Sequence, residues 1–144
     1  FLLGVLMLAY MFAFVDRVIL GLLVGPIQRD LGIGDTEFSL LAGFAFALLY
    51  TALGIPVGIL VDRRPRLPIV ITGSALWSVA AAACGLAGSF AQLFLARVAV
   101  GVGEATLSPA ASSLIGDAFP PARRGLALSL YACGITVGGG LALI

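Results

Sequence analysis

Four ionisable residues stand where the sequence around them is apolar: Asp16 and Arg17 in the first long apolar run, Arg97 and Glu104 in a later one. At membrane depth each charge costs at least roughly 2.5 kcal/mol on insertion scales, so each needs a partner or water. Arg97 and Glu104 are seven residues apart, two helical turns, and Gly101 and Ser108 continue the same face. A stripe of basic, small, acidic and hydroxyl residues reads as the wall of a polar cavity rather than a lipid-facing surface. Asp16 and Arg17 are adjacent and project about 100° apart, so both can border one cavity without facing each other. Cross-helix pairing, Asp16 with Arg97 or Arg17 with Glu104, leaves the four with no net charge. Such pairs can serve only to fix helix register. The chemistry they also allow is uptake and release of a proton by one carboxylate: burial disfavours its charged form and a neighbouring arginine favours it. An arginine that moves during a conformational change therefore switches proton affinity while staying charged itself.

The elements that must position these groups follow from composition. Of 144 residues 61% are hydrophobic and 10% charged, with a mean hydropathy of +1.17. A soluble domain carries roughly 25% charged residues, and apolar runs here recur at about the 20-residue bilayer-spanning length. Breakers and charges taken as boundaries predict five spanning helices, Phe1 to Ile27, Phe38 to Leu60, Leu67 to Ala87, Phe90 to Ile115 and Gly125 to Ile144. The fold class expected is all-α, a polytopic membrane helical bundle. Its loops, Gln28 to Glu37 and little more than Gly88-Ser89, are short enough to set consecutive helices antiparallel. Phe1-Leu2-Leu3 offers neither an initiator methionine nor a charged leader, and Leu141 to Ile144 is still apolar. Residues 1–144 are accordingly expected to form an N-terminal transmembrane bundle whose C-terminal counterpart lies outside the sequence.

Charge placement orients the helices. All eight basic residues are arginine, and five of them lie in the stretches Asp62 to Arg66 and Asp117 to Arg124, whereas the first loop sets Arg29 against Asp30, Asp35 and Glu37. The positive-inside rule makes the arginine-rich loops cytoplasmic. Asp62, Arg63, Arg66, Asp117, Arg123 and Arg124 are expected to form one cytoplasmic charge cluster that holds a gate, with Gly58 permitting close helix contact beside it. Histidine is absent, which removes His-dependent triads and most zinc sites. Cys84 and Cys133 sit in apolar runs as small hydrophobes. No enzyme activity, metal, cofactor or nucleic acid partner is expected. Gly101, Gly103, Gly134, Gly138, Gly139 and Gly140 suit tight helix packing in lipid, and Pro26, Pro56 and Pro109 favour bends.

Gly58-Ile59-Leu60-Val61-Asp62-Arg63-Arg64-Pro65-Arg66 resembles the loop motif between helices 2 and 3 of the major facilitator superfamily, with Pro65 at a position where that motif has glycine. Arg97-Val98-Ala99-Val100-Gly101-Val102-Gly103 resembles its helix 4 pattern Arg-x-x-x-Gly-x-Gly, and Phe119 to Gly125 its approach to helix 5. Gly134 and Gly138 partly match the helix 5 glycine motif, with Gly139 in place of a proline. Together, Asp16-Arg17, Trp77-Ser78 and Val100 to Ala105 resemble the Spinster branch, whose members move sphingosine phosphate and lysophospholipids. The resemblance implies five of the first six helices of that fold in an integral protein of a bacterial inner membrane or plasma membrane. It implies a proton-coupled transporter of a small anionic amphiphile, with Asp16 and Glu104 coupling protons and Arg17, Tyr50, Arg97 and Glu104 binding substrate. The alternatives are an organic-anion proton symporter, for sugar or aromatic acids, and a membrane-embedded protein without transport function. The topology is checked by placing a cysteine at Arg64 in the full-length protein: membrane-impermeant reagents should label it from the cytoplasmic side, and labelling only from outside would overturn the orientation.

Overall fold

The computed structural model describes the backbone of residues 1–144 and every side chain except those of residues 45, 46, 48 and 49. Among the described residues there is no strand. The helices are α1 (Leu2–Leu22), α2 (Val24–Leu31), α3 (Asp35–Ser39), α4 (Ala45–Arg63), α5 (Arg66–Gly85), α6 (Phe90–Glu104), α7 (Leu107–Ala118) and α8 (Pro121–Leu141), with a π-helical turn, Leu40–Phe44, leading into α4. Among the described residues, the stretches Leu2–Leu22, Arg66–Gly85 and Phe90–Ala118 are long and apolar enough to cross a membrane.

Prolines set several boundaries that differ from those expected. A proline inside a helix lacks the N–H that would reach the carbonyl four residues back, and its ring crowds that carbonyl. Pro26 does this to Leu22, so the first helix ends there rather than at Ile27 and restarts as α2 after Leu23. Pro109 does it to Ala105, so the helix expected over Phe90 to Ile115 is two segments broken at Ala105-Thr106. At that break the Thr106 hydroxyl donates to the Gly103 carbonyl at 2.8 Å. Arg64 precedes Pro65 and is extended, φ −129 and ψ 160, which stops α4 and lets α5 begin at Arg66. Pro121 opens α8 four residues before the expected Gly125, in the first-turn position where a missing N–H matters least.

The first loop is also shorter than expected, because most of Gln28 to Glu37 is helical. Gly32, at φ 64, takes the left-handed conformation that closes α2. The Gly34 N–H then donates to the Glu37 carboxylate at 2.8 Å, and this contact caps α3.

α1 packs along α8, and α5 along α6, which also meets α4. Glycine makes both main seams. A Cβ on Gly103 would lie 2.7 Å from the Gly73 carbonyl oxygen and from Trp77, and one on Gly134 would lie 2.8 Å from the Met7 carbonyl oxygen. A Cβ on Gly138 would collide with the Met11 carbonyl. At Gly58, Gly139 and Gly140 a Cβ would meet nothing within 4 Å among the described residues, so no close contact is made there within this chain's described part. Around the seams lie buried clusters, one of Leu6, Ala111, Ile115, Ala127 and Tyr131, another of Ala13, Trp77, Ala80, Val100 and Leu107. Ile55, Val79, Leu95 and Leu126 are exposed, as a bilayer-facing surface allows.

Helix propensity alone makes Gly→Ala favourable by about 1 kcal/mol, so substitution separates packing glycines from the others. Gly138→Ala should lose about 1–3 kcal/mol through overpacking, while Gly140→Ala should be neutral or stabilising. Thermal unfolding of the full-length protein in detergent measures both, and equal stability of the two variants would contradict the seam.

Candidate functional site

Two neighbouring positions on α1 face two positions on α6. The Arg17 Nε and Nη2 groups both donate to Glu104 Oε2, at 2.9 and 2.6 Å. Arg97 Nη1 donates to Asp16 Oδ2 at 2.7 Å. The structure thus makes both cross-helix pairs, and they cancel because each helix contributes one charge of each sign. These are charge-assisted hydrogen bonds, the stronger kind. The α6 members are buried, Arg97 and Glu104 each 2% exposed, whereas the α1 side chains are more open, 27% for Arg17 and 23% for Asp16.

The Arg17–Glu104 geometry is lopsided. Both donors converge on one carboxylate oxygen, and the other, Oε1, is buried with no hydrogen-bond partner among the described residues. A buried acceptor without a donor is costly; a proton on Oε1, or a ligand's donor, would satisfy it. Glu104 is the last residue of α6, directly before the break at Ala105-Thr106. The interruption imposed by Pro109 therefore sits directly beside Glu104.

Aromatic rings surround Arg17. Its guanidinium carbon lies 5.2 Å from the Phe14 ring centroid and 5.1 Å from that of Tyr50, inside the roughly 6 Å reach of a cation–π contact. Tyr10 stacks on Tyr131 with centroids 4.5 Å apart and meets Phe14 edge-on at 5.6 Å. The family resemblance points to Tyr50; it does not point to Tyr10, Phe14 or Tyr131. For the first two a signal existed, since residues 10, 14 and 17 share a helical face. Tyr131 arrives from α8 and has no local signal. Ser108, expected to continue the Arg97–Glu104 stripe, lies beyond the helix break, near the Tyr131 hydroxyl.

The expected cytoplasmic cluster is reduced to fewer contacts. Arg66 Nη1 pairs with Asp117 Oδ2, joining the start of α5 to the end of α7. Arg124 Nε donates to the Phe119 carbonyl at 3.0 Å. Asp62, Arg63 and Arg123 are exposed and make no ion pair among the described residues. Gly58 lies in α4, with no close helix neighbour among the described residues.

Residues 6–144 match the sequence profile of the Major Facilitator Superfamily. The chain is 34% identical over 145 residues to an MFS-type efflux pump of Mycolicibacterium smegmatis, covering 96% of this chain and 34% of that protein. It is 32% identical over 126 residues to a probable L-galactonate transporter of Escherichia coli, covering 87% of this chain and 27% of the relative. A solved structure of a bacterial homolog to the human lysosomal transporter Spinster, inward-facing and unoccupied, superposes with a TM-score of 0.94 at 40% identity, over 98% of this chain and 29% of that one. The chain therefore spans about a third of the length of the proteins it matches. With the profile covering all but its first five residues, and with a helical bundle in which Asp16, Arg17, Arg97 and Glu104 pair across two helices, the chain belongs to the Major Facilitator Superfamily.

Proposed function

We propose that the full-length protein carrying this chain is a proton-coupled secondary transporter of an anionic amphiphile, such as sphingosine phosphate or a lysophospholipid, working by alternating access. In this reading residues 1–144 are five spanning helices of the N-terminal bundle, and a C-terminal bundle closes the cavity from the opposite side. Bacterial relatives favour placement in a bacterial inner membrane. The observation that carries the reading is the Arg17–Glu104 pair: a buried carboxylate with one open oxygen, bonded to an arginine that is still partly exposed and ringed by aromatic side chains.

The mechanism follows from charge. With all four groups ionised the site is neutral, and Arg17 is engaged by Glu104. A proton on Glu104 removes the carboxylate's charge, leaves the cavity with one excess positive charge and frees Arg17 for a phosphate or carboxylate oxygen. Tyr10, Phe14, Tyr50 and Tyr131 give an apolar wall for the attached chain. Loss of the proton restores the carboxylate, which competes for Arg17 and expels the anion. Proton and anion thus bind together. Asp16 and Arg97 form the second member of the coupled set, and Arg97 also adds positive charge to the substrate's surroundings. Outside the cavity the Arg66–Asp117 pair holds the cytoplasmic gate, with Gly58, Asp62, Arg63, Arg123 and Arg124 at the same end but not joined into a network with it among the described residues. A single exposed pair contributes only about 0–1 kcal/mol, so the gate opens readily.

A small organic anion is the competing substrate class, supported by the similarity to a probable L-galactonate transporter and by an arginine that would bind any carboxylate. Reconstituted full-length protein, assayed with labelled lysolipid and separately with a sugar acid, distinguishes the two, and transport of the sugar acid alone would move the assignment. Glu104→Gln should abolish the response of transport to a pH gradient while the protein still inserts. Arg17→Ala should weaken anion binding by about tenfold to a hundredfold, the value of a hydrogen bond to a charged group. An unaltered gradient response in Glu104→Gln would remove proton coupling from the reading.

A further inference from the structure

Tyr131 carries an oxygen that its packing does not explain. Its ring stacks on Tyr10 of α1 with centroids 4.5 Å apart and packs among Leu6, Ala111, Ile115 and Ala127, which leaves the residue 5% exposed. A phenylalanine would fill that space and stack equally well. The hydroxyl is buried and makes no hydrogen bond among the described residues, a costly arrangement for a polar group. Because the stack fixes the ring, the oxygen has a fixed place as well. Ser108 stands next to it, and Arg17 and Tyr50 lie within electrostatic range, so it is directed toward the Arg17–Glu104 pair rather than toward lipid. Ser108 itself is four residues beyond Glu104, at the start of α7, and is partly exposed.

We propose that Ser108 is a headgroup contact of the transported anion, that Tyr131 positions it, and that this pair of hydroxyls makes the site prefer a phosphate monoester to a carboxylate. The proposal rests on the reading above, in which Arg17 takes the anion once Glu104 is protonated. The Nε and Nη2 donors of Arg17, which converge on Glu104 in this structure, then meet two oxygens of the anion side by side. A carboxylate has only two, and both are satisfied. A phosphate monoester has a third terminal oxygen, which needs a donor from another direction. Tyr50 is not that donor, because its hydroxyl is already engaged by Arg17. Ser108 is suited to the task, since a serine hydroxyl accepts and donates at once. Tyr131 donates to the serine oxygen, which turns the serine hydrogen away from Tyr131 and into the cavity beside Glu104. A hydroxyl that accepts one hydrogen bond also donates a stronger one. The tyrosine thereby gains the partner it lacks here, and the serine is held ready for the third oxygen.

Dodecyl phosphate and dodecanoate share an alkyl character and differ in headgroup, so their binding to full-length protein in lipid nanodiscs tests the assignment. Tyr131→Phe keeps the ring and its stack on Tyr10 and removes only the oxygen. It should weaken dodecyl phosphate about tenfold, the lower end for a hydrogen bond to a charged group, and leave dodecanoate within about twofold. Ser108→Ala should do the same, and adding Tyr131→Phe to it should cost nothing further, because the tyrosine acts through the serine. Additive losses in the double variant would break the link between the two hydroxyls and overturn the positioning role. Equal weakening of both ligands would reveal a merely structural role and overturn the proposal. An unchanged phosphate preference in both single variants would also overturn it, by placing the third donor elsewhere in the full-length protein. The anion reading fails separately: if Arg17→Ala keeps the parent affinity for both ligands, neither headgroup is held at Arg17, and the hydroxyl pair falls with that reading.

Discussion

Charges held at membrane depth must be neutralised where they stand, and in this chain that constraint binds α1 to α6. Neither helix could carry its pair alone: Asp16 and Arg17 diverge around α1, and Arg97 and Glu104 are two turns apart on α6. Only together do they form two pairs, Arg17–Glu104 and Asp16–Arg97. Truncating one member of a buried pair is worth about 3–5 kcal/mol, because the remaining charge is stranded. The pairs are thus strong enough to hold the two helices in register. They are also sensitive to any event that changes one charge.

The rest of the bundle can be understood as a frame for that contact. Gly103 lets α6 approach α5 until it touches the Gly73 carbonyl and Trp77, and Gly134 and Gly138 bring α8 against the backbone of α1. Contacts of this kind use dispersion and shape, the forces available in lipid, and they leave little freedom for α1 and α6 to drift. The break at Ala105-Thr106 interrupts the regular helix within this frame. It follows Glu104 directly, so a change in the Arg17–Glu104 pair is applied at a point where the helix is already interrupted.

Much of this was legible in the sequence, for reasons that are themselves physical. Charged residues in apolar runs stand out because insertion penalises them, and their complementary signs limited the pairings. The Asp62 to Arg66 motif carried the family. Less legible was anything decided by contacts between distant elements. Whether a glycine packs depends on what another helix places opposite it, so Gly138 and Gly140 looked alike in sequence but differ in the fold. Tyr131 belongs to the site only because α8 crosses α1. The breaks at Leu23 and Ala105-Thr106 could have been placed from Pro26 and Pro109, each acting on the carbonyl four residues earlier. Of the charge cluster expected of Asp62, Arg63, Arg66, Asp117, Arg123 and Arg124, the Arg66–Asp117 ion pair forms among the described residues, and the exposed side chains around it gain too little from pairing to be held in one arrangement.

The central claim is that Glu104, released from Arg17, carries the transported proton. Infrared difference spectroscopy of the full-length protein between high and low pH observes this directly, through the C=O stretch that a carboxyl group shows only when protonated. The account predicts a protonated-carboxyl band in the parent protein that disappears in Glu104→Gln and is weakened when anionic substrate is withheld. A band that persists unchanged in Glu104→Gln would place the proton on another group and contradict the account.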